Sequence, residues 1–208
     1  MTARRIGLAD LLDSPREIAR FREILSSGGV AAIPTDTFYA LAADPRNELG
    51  VKRVLEIKRR DDGKPLLVLC SSRKDLEELG VAADSRKLDR FLKIWPAPLT
   101  VVLPVGRTIP ASRGARSLGG RIPASDPVRA LIRAVGPLTG TSANRAGAAP
   151  LADPGAVAAA LGSEIDLLVD GGTTPGGDPS TLLDATREPP VVIRPGAYPW
   201  PLHEPETP

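Results

Sequence analysis

The chain has 208 residues, 42% of them hydrophobic, which suits one well-cored domain over residues 1–208, and its net charge is only +2. Apolar runs stay short of the roughly 18 residues that span a bilayer, and the N-terminus lacks a secretory signal, so we expect a cytoplasmic protein without a membrane partner. A single cysteine, Cys70, excludes internal disulfides and thiolate zinc clusters. The single histidine, His203, stands near the C-terminal end and argues against Ser-His chemistry, which leaves hydroxyls, carboxylates, lysines and arginines.

The first half of the chain alternates helical patterns with short apolar runs. Ser14 to Glu17 read as a capping box with proline at the first helical position. A strand is predicted at 30–33, a helix at 47–59 and a buried strand at 65–70. The remaining elements of this half are helices at 73–79 and 85–94 and a strand at 99–103.

The second half begins with a polar, glycine-containing stretch at 105–120, which we expect to be a long loop beside a site. Helices are predicted at 126–135 and 154–161. Strands are predicted at 120–123, 138–144, 165–170, 180–185 and 190–195, the last three lying close together. Such interleaving predicts an α/β fold, a single-domain twisted mixed sheet with flanking helices.

Several predicted strands end in polar residues. Ile33 leads into Pro34–Thr37, Leu138 leads into the hydroxyls of 139–144, and Ile193 leads into Arg194. Ligands of open α/β sheets bind at the carboxyl ends of strands, so this recurrence predicts a shared crevice. The alternative is that these side chains cap the next helix or turn, and local backbone bonding is what we expect of Asp36 and Asp44.

Cations cluster at the end of the second predicted helix, at Lys58, Arg59, Arg60 and Lys64. Complementation of the helix dipole accounts for the first two, whereas the last two lie past the helix end, where they can reach a phosphate chain. The glycine-rich stretch 170–181 either lets the backbone approach a ligand or forms a hairpin loop. Neither common glycine-rich phosphate-binding motif is present, so a nucleotide would be held by separate side chains.

Seven segments in this order resemble the YrdC family of threonylcarbamoyl-AMP synthases, from about Ser14 to Ala197. They are PTDTFYAL at 34–41, KRRDDGKPLLV at 58–68, WPAPLTVVLP at 95–104, GRIPASDP at 120–127, TSANRAG at 141–147, DGGTTPGGDPSTLLD at 170–184 and VIRPGA at 192–197.

The resemblance implies an activity and its partners. It implies a nucleotidyltransferase of the short, single-domain form, with a concave basic surface on a YrdC-like fold. The core of that domain would span about 14–197, followed by a C-terminal tail at 198–208. The enzyme would form L-threonylcarbamoyladenylate and pyrophosphate from L-threonine, bicarbonate and ATP with Mg²⁺. The product would serve tRNA threonylcarbamoyladenosine modification, completed by downstream threonylcarbamoyl-transfer proteins.

The resemblance also implies roles for ten residues and no protein metal site. The catalytic, phosphate-gripping pair is Lys58 and Arg60. The threonine-binding residues are Thr35, Arg121, Ser142 and Ser180. The nucleotide-binding residues are Arg60, Lys64, Ser117, Asn144 and Arg194.

Three positions depart from the family pattern. Ala40 replaces the glycine that usually follows the tyrosine, Leu69 stands where many long-form members have histidine, and Ala152 replaces a hydroxyl found in some relatives. The methyl group of Ala40 matters if that backbone needs positive φ or approaches a ligand closely. Leu69 removes one threonine-side contact or leaves it to water.

Two other functions fit the same basic concavity. One is a YrdC-like module that binds double-stranded RNA or tRNA through phosphates, although an aromatic content of 3% excludes a stacking surface for single strands. The other is a paralogue with an altered carbamoyl-adenylate substrate.

Overall fold

A computed structural model describes residues 2–59, 63–82 and 86–200. Within these ranges the strands are β1 Arg4–Gly7, β2 Ala31–Ile33, β3 Ala40–Ala42, β4 Val68–Leu69, β5 Leu99–Pro104, β6 Ser117–Arg121, β7 Leu138–Thr139, β8 Thr141–Ser142, β9 Leu167–Asp170, β10 Thr181–Asp184 and β11 Val191–Arg194. The helices are α1 Leu8–Asp13, α2 Pro15–Ser26, α3 Glu48–Lys58, α4 Arg73–Glu78, α5 Arg86–Leu92, α6 Asp126–Val135 and α7 Pro154–Leu161, with a 3-10 turn at Pro110–Ser112.

The strands form two mixed sheets. One has the order β1-β9-β2-β3-β8 and the other β11-β10-β5-β6-β4-β7. Each contains both parallel and antiparallel pairs, which confirms the predicted mixed α/β fold with flanking helices, although the strands are divided between two sheets. Gly140 joins β7 of one sheet to β8 of the other. A Cβ atom there would lie 2.6 Å from Cγ of Leu69, so only glycine fits this crossing.

Two hydrophobic clusters hold the sheets together. Alternate residues of β2 and β3 point to opposite faces, so Ala32 and Leu41 join the cluster shared with the six-stranded sheet, while Ile33 and Ala42 join the cluster under α1, α2 and α6. Among the described residues, no helix is long and apolar enough to cross a bilayer.

The predicted start of α2 is confirmed in part. Pro15 is the first helical residue and Oγ of Ser14 accepts from the Glu17 amide at 3.3 Å. The Glu17 carboxylate, however, pairs with Arg4 Nη1 at 2.6 Å instead of returning to the cap. The capping box is therefore half formed, because a long-range partner competes for the glutamate.

Several elements differ from the sequence-based expectation. The stretch 105–120 is not one long loop, because it contains the 3-10 turn and most of β6, whose Gly119 pairs with Val102 of β5. A Cβ atom on Gly119 would lie 2.5 Å from the Leu67 side chain, so this glycine serves close packing in a strand. The last three strands also separate, since β9 pairs with β1 and β2 while β10 and β11 belong to the other sheet.

Candidate active site

A cavity of about 480 Å³ opens where the two sheets meet. Its walls come from β3 and β8 of one sheet and from β5, β6, β10 and β11 of the other. Seven of the predicted site residues line it: Thr35, Lys64, Ser117, Arg121, Ser142, Ser180 and Arg194. Residues from distant parts of the sequence thus converge on one hollow.

Arg121 ends β6 with its side chain only 6% exposed, and Asp36 is 10% exposed beside it. Asp36 Oδ1 accepts from Arg121 Nη2, and Asp36 Oδ2 accepts from the Ala124 amide at 2.9 Å. The prediction that Asp36 bonds to the local backbone is therefore wrong. Long-range partners replace it because a buried guanidinium needs a compensating anion. Asp44 does bond locally, to the Arg46 amide at 2.9 Å.

The turn after β2 is built from threonine hydroxyls. Thr35 Oγ1 donates to the Phe38 carbonyl at 2.7 Å and accepts from the Thr37 amide at 3.1 Å. Thr37 Oγ1 in turn accepts from Arg121 Nη1 at 3.4 Å. The hydroxyls therefore fix the turn and one edge of the guanidinium together.

Lys58 and Asn144 lie behind the cavity wall. Lys58 Nζ donates to the carbonyls of Ser142 at 2.8 Å and of Asn144 at 2.9 Å, which ties the end of α3 to the end of β8 and the turn that follows it. The Asn144 amide group donates to the carbonyls of Arg145 and Ala148 and closes the following turn. Arg60, the second member of the predicted phosphate-gripping pair, lies outside the described residues.

The opposite wall carries Ser180 and Arg194. Ser180 Oγ lies 2.9 Å from Thr100 Oγ1, and Arg194 Nη2 donates to the Ser180 carbonyl at 2.8 Å. Partial desolvation, followed by the charge of Arg121, lowers the pKa of the Arg194 guanidinium from its usual value. Together with Lys64, these arginines make the cavity attractive to anions.

The cavity also has an apolar wall, which was not predicted from the sequence. It is formed by Leu67, Val102, Leu182 and Ile193. Thr37 and Thr141, which belong to the polar strand ends predicted to share a crevice, also line the cavity, whereas the Tyr39 contribution was missed. A hollow with cationic groups beside an apolar wall suits a ligand that combines phosphates with a planar base.

The three departures from the family pattern have structural explanations. Ala40 lines the cavity within β3 and needs no positive φ, since among the described residues only Arg59 and Arg113 combine a side chain with positive φ. Leu69 is buried against Gly140 in the hydrophobic cluster under α1, α2 and α6. Ala152 contributes its carbonyl, which accepts from the Thr174 amide at 2.9 Å.

Comparison with known proteins gives concordant matches. The Sua5_yciO_yrdC family, described as "Telomere recombination", matches residues 23–196. Threonylcarbamoyl-AMP synthase of Xanthomonas euvesicatoria pv. vesicatoria is 39% identical over 184 residues, covering 86% of this chain and 96% of the relative. Threonylcarbamoyl-AMP synthase of Pyrococcus abyssi is 34% identical over 178 residues, covering 84% of this chain and 52% of the relative.

A solved structure matches as well. P. abyssi Sua5 complexed with L-threonine superposes with a TM-score of 0.81 at 30% identity, covering 94% of this chain and 57% of that one. The chain thus spans about half the length of the Pyrococcus protein and nearly all of the Xanthomonas protein. A match over residues 23–196, together with these identities, shows that the chain belongs to the Sua5/YciO/YrdC family.

Proposed function

We propose that this chain is an L-threonylcarbamoyl-AMP synthase, which forms threonylcarbamoyl-AMP and pyrophosphate from L-threonine, bicarbonate and ATP. The observation that carries the proposal is one cavity whose lining combines two kinds of surroundings, buried Arg121 with hydroxyls, and further cations with apolar side chains. A carboxylate-bearing amino acid and a nucleotide need those two environments side by side. The names of the curated relatives support the same activity.

The reaction places modest demands on proton transfer. The neutral amine of threonine combines with bicarbonate to give a carbamate and water, and a carbamate oxygen then attacks the α-phosphorus while pyrophosphate leaves. Because the nucleophile is already an anion, catalysis rests on positioning and charge neutralisation. This chemistry therefore needs no catalytic histidine.

The proposed roles follow from position in the cavity. Thr35, Arg121, Ser142 and Ser180 orient threonine, with Arg121 binding the carboxylate. Lys64, Ser117 and Arg194 bind the nucleotide, and we retain the phosphate-binding assignment for Lys58 and Arg60 and the nucleotide-binding assignment for Asn144. In the part of the chain that the structure describes, no three His, Cys, Asp or Glu side chains cluster as metal ligands, so Mg²⁺ is proposed to arrive as the ATP complex, held by phosphate oxygens and water.

The wider setting is proposed on the same basis. The product is a reactive acyl adenylate, which must be consumed by an enzyme that transfers the threonylcarbamoyl group to a tRNA. We therefore propose that the chain works in the cytoplasm with such transfer proteins, as one domain over residues 1–208.

The decisive experiment is incubation with ATP-Mg, L-threonine and bicarbonate, with detection of threonylcarbamoyl-AMP by mass spectrometry. Pyrophosphate release should require all three substrates, and at subsaturating threonine R121Q should lower it by about 10²- to 10³-fold, because the guanidinium that binds the threonine carboxylate is lost. The matched control R46Q removes an exposed, aspartate-paired arginine outside the cavity lining and should behave as wild type. Salt-sensitive binding of duplex RNA with no threonine-dependent product would favour the RNA-binding alternative instead.

A further inference from the structure

We propose that Asp36 is a positioning residue, which holds the Arg121 guanidinium in the orientation that receives the substrate carboxylate. The inference rests on the proposed function and adds a residue that does not itself line the cavity. Asp36 would therefore act on threonine binding through Arg121 alone.

The contacts of Asp36 bridge two distant segments. One carboxylate oxygen pairs with Arg121 at the end of β6, and the other accepts from the Ala124 amide at 2.9 Å just beyond that strand. Both oxygens are thus engaged by the segment 121–124, while the residue itself belongs to the turn after β2. A carboxylate held at both oxygens cannot swing away when a ligand enters, so it acts as a fixed point for the guanidinium.

The donors of Arg121 are divided between protein and cavity. Asp36 takes Nη2 and Thr37 takes Nη1, whereas Nε is buried without a hydrogen-bond partner among the described residues. Nε is therefore out of reach of a ligand in the cavity. Since Arg121 lines the cavity and each of its η nitrogens carries a second N–H, we infer that these N–H groups receive the ligand carboxylate, and that Asp36 determines which of them stay available.

Charge compensation supports the same role. Arg121 and Asp36 are both nearly buried, so the arginine is neutralised before any substrate binds. Without the aspartate, the guanidinium would turn toward the nearest acceptor or toward water. The substrate carboxylate would then meet a misplaced cation, and binding of threonine would weaken while the residues proposed to bind the nucleotide keep their own contacts.

The test compares D36N with wild type in steady-state kinetics. The threonine KM of D36N should rise about 10- to 100-fold, the cost expected of a misplaced binding group. The ATP KM and the kcat at saturating threonine should stay near the wild-type values, because only binding of one substrate is weakened. The matched control is D44N, which removes a charge from an aspartate that pairs with Arg46 outside the cavity lining. D44N should leave both KM values unchanged.

A second comparison separates positioning from general damage. In the R121Q background, D36N should cause little further loss of threonine binding, measured by calorimetry, because the residue through which Asp36 acts is gone. Independent, additive losses, or a D36N variant that raises both KM values alike, would overturn the proposal. If D36N does not fold, as judged by circular dichroism, D36E keeps the charge but displaces the guanidinium, and an unchanged threonine KM in D36E would overturn it equally.

Failure of the two proposals can be told apart. A wild-type protein that makes no threonine-dependent product overturns the proposed function and this inference with it. An active wild-type protein with a kinetically normal D36N variant overturns only the role of Asp36.

Discussion

The Lys58 ammonium group has a structural role in addition to its proposed phosphate-binding role. Its side chain is buried at the end of α3, and its charge is satisfied in part by the carbonyls of Ser142 and Asn144. These carbonyls precede and follow Ala143, in the segment that carries the predicted serine and asparagine. The proposed phosphate role therefore adds to a structural one, since the ammonium also fixes the backbone beside the cavity.

We expect K58M to destabilise the fold by about 1–3 kcal/mol, because carbonyls that lose a charged donor remain buried. The free energy of unfolding from urea titration would measure this loss. The control K52M lies on the same helix, where Lys52 is 73% exposed and pairs only with Glu56 in a surface i,i+4 contact among the contacts seen. K52M should change stability by no more than about 0.5 kcal/mol. Equal stabilities of the two variants would contradict the structural role of Lys58.

At this scale, sequence reasoning found the groups with recognisable motifs and missed their partners. Ser142 and Arg121 stand in short, ordered segments, and both line the cavity. The pairing of Asp36 with Arg121 joins residues 85 apart in the chain, and no local pattern encodes such a contact. The sequence therefore indicated only a turn residue at Asp36, because its partner lies in β6, which the fold places beside the turn.

Among the elements, the glycine-rich segment between β9 and β10 is fastened at several points. The Tyr39 hydroxyl accepts from the Gly171 amide at 3.1 Å and donates to the Gly172 carbonyl at 2.8 Å. Farther along, the Thr174 amide donates to Ala152 and the Gly176 amide donates to the Thr37 carbonyl at 2.8 Å. The segment is thus held against the strand ends that frame the cavity and is not a free hairpin loop.

We expect Y39F to loosen this segment, because the Gly171 amide and the Gly172 carbonyl lose their shared partner. Hydrogen exchange measured by NMR or mass spectrometry should show faster exchange of the Gly171 amide, by about tenfold or more for a lost bond of about 1.4 kcal/mol. Y198F is the matched control, since Tyr198 is the only other tyrosine and its described hydrogen bonds are made by its backbone. Unchanged exchange at Gly171 in Y39F would show that the hydroxyl does not fasten the segment.

Helices and strands were predictable to different degrees. Ser14 and Pro15 marked α2, and the Asp-Pro pair marked α7, whose cap Asp153 accepts from the Ala156 amide at 2.8 Å. The strand β1 was missed because its sequence, RRIG, is half arginine and becomes a strand only by parallel pairing with β9. Local signals specify helix ends, whereas short strands depend on distant partners.

For the molecule as a whole, Cys70 is expected to lower the free energy of unfolding at alkaline pH. The thiol is fully buried in the cluster shared by both sheets. Burial, followed by the charge of Asp75, raises the pKa of Cys70 well above its usual value. An unfolded cysteine has a pKa of about 8.5 and ionises above that pH, while the folded protein keeps its thiol protonated. The contribution to stability is therefore complete below about pH 8.5 and is lost as pH rises through the folded-state pKa.

The wild-type free energy of unfolding should consequently fall by up to about 1.4 kcal/mol per pH unit between about pH 9 and pH 10 through this residue. Urea unfolding of wild type and C70A at several pH values would measure the difference between their slopes. C70A should start from a lower stability but lose less of it over this range. Tyr39, whose pKa is also raised by burial, adds the same trend in both proteins only above about pH 10. Parallel pH profiles for the two proteins would contradict the assignment.

The sequence was sufficient for the mixed α/β class but not for the division into two sheets. Alternation of apolar runs with helical patterns predicts the layers, and both sheets have those layers. Which sheet a strand joins is decided by packing, as at Gly140, where one residue separates strands of different sheets. The chain gives no local sign of that crossing other than the glycine itself.

The placement of the cavity walls on both sheets has a thermodynamic consequence. A molecule bound there touches β3 and β8 on one side and β6 and β10 on the other, so it adds contacts between two layers already joined by side-chain packing and by the hydrogen bonds of Thr139 to Leu41 and Ala43. Binding of the proposed substrates should therefore also stabilise the folded protein. The concentrations of the proposed substrates should then set part of the protein's resistance to heat and proteolysis, which would be lower without them.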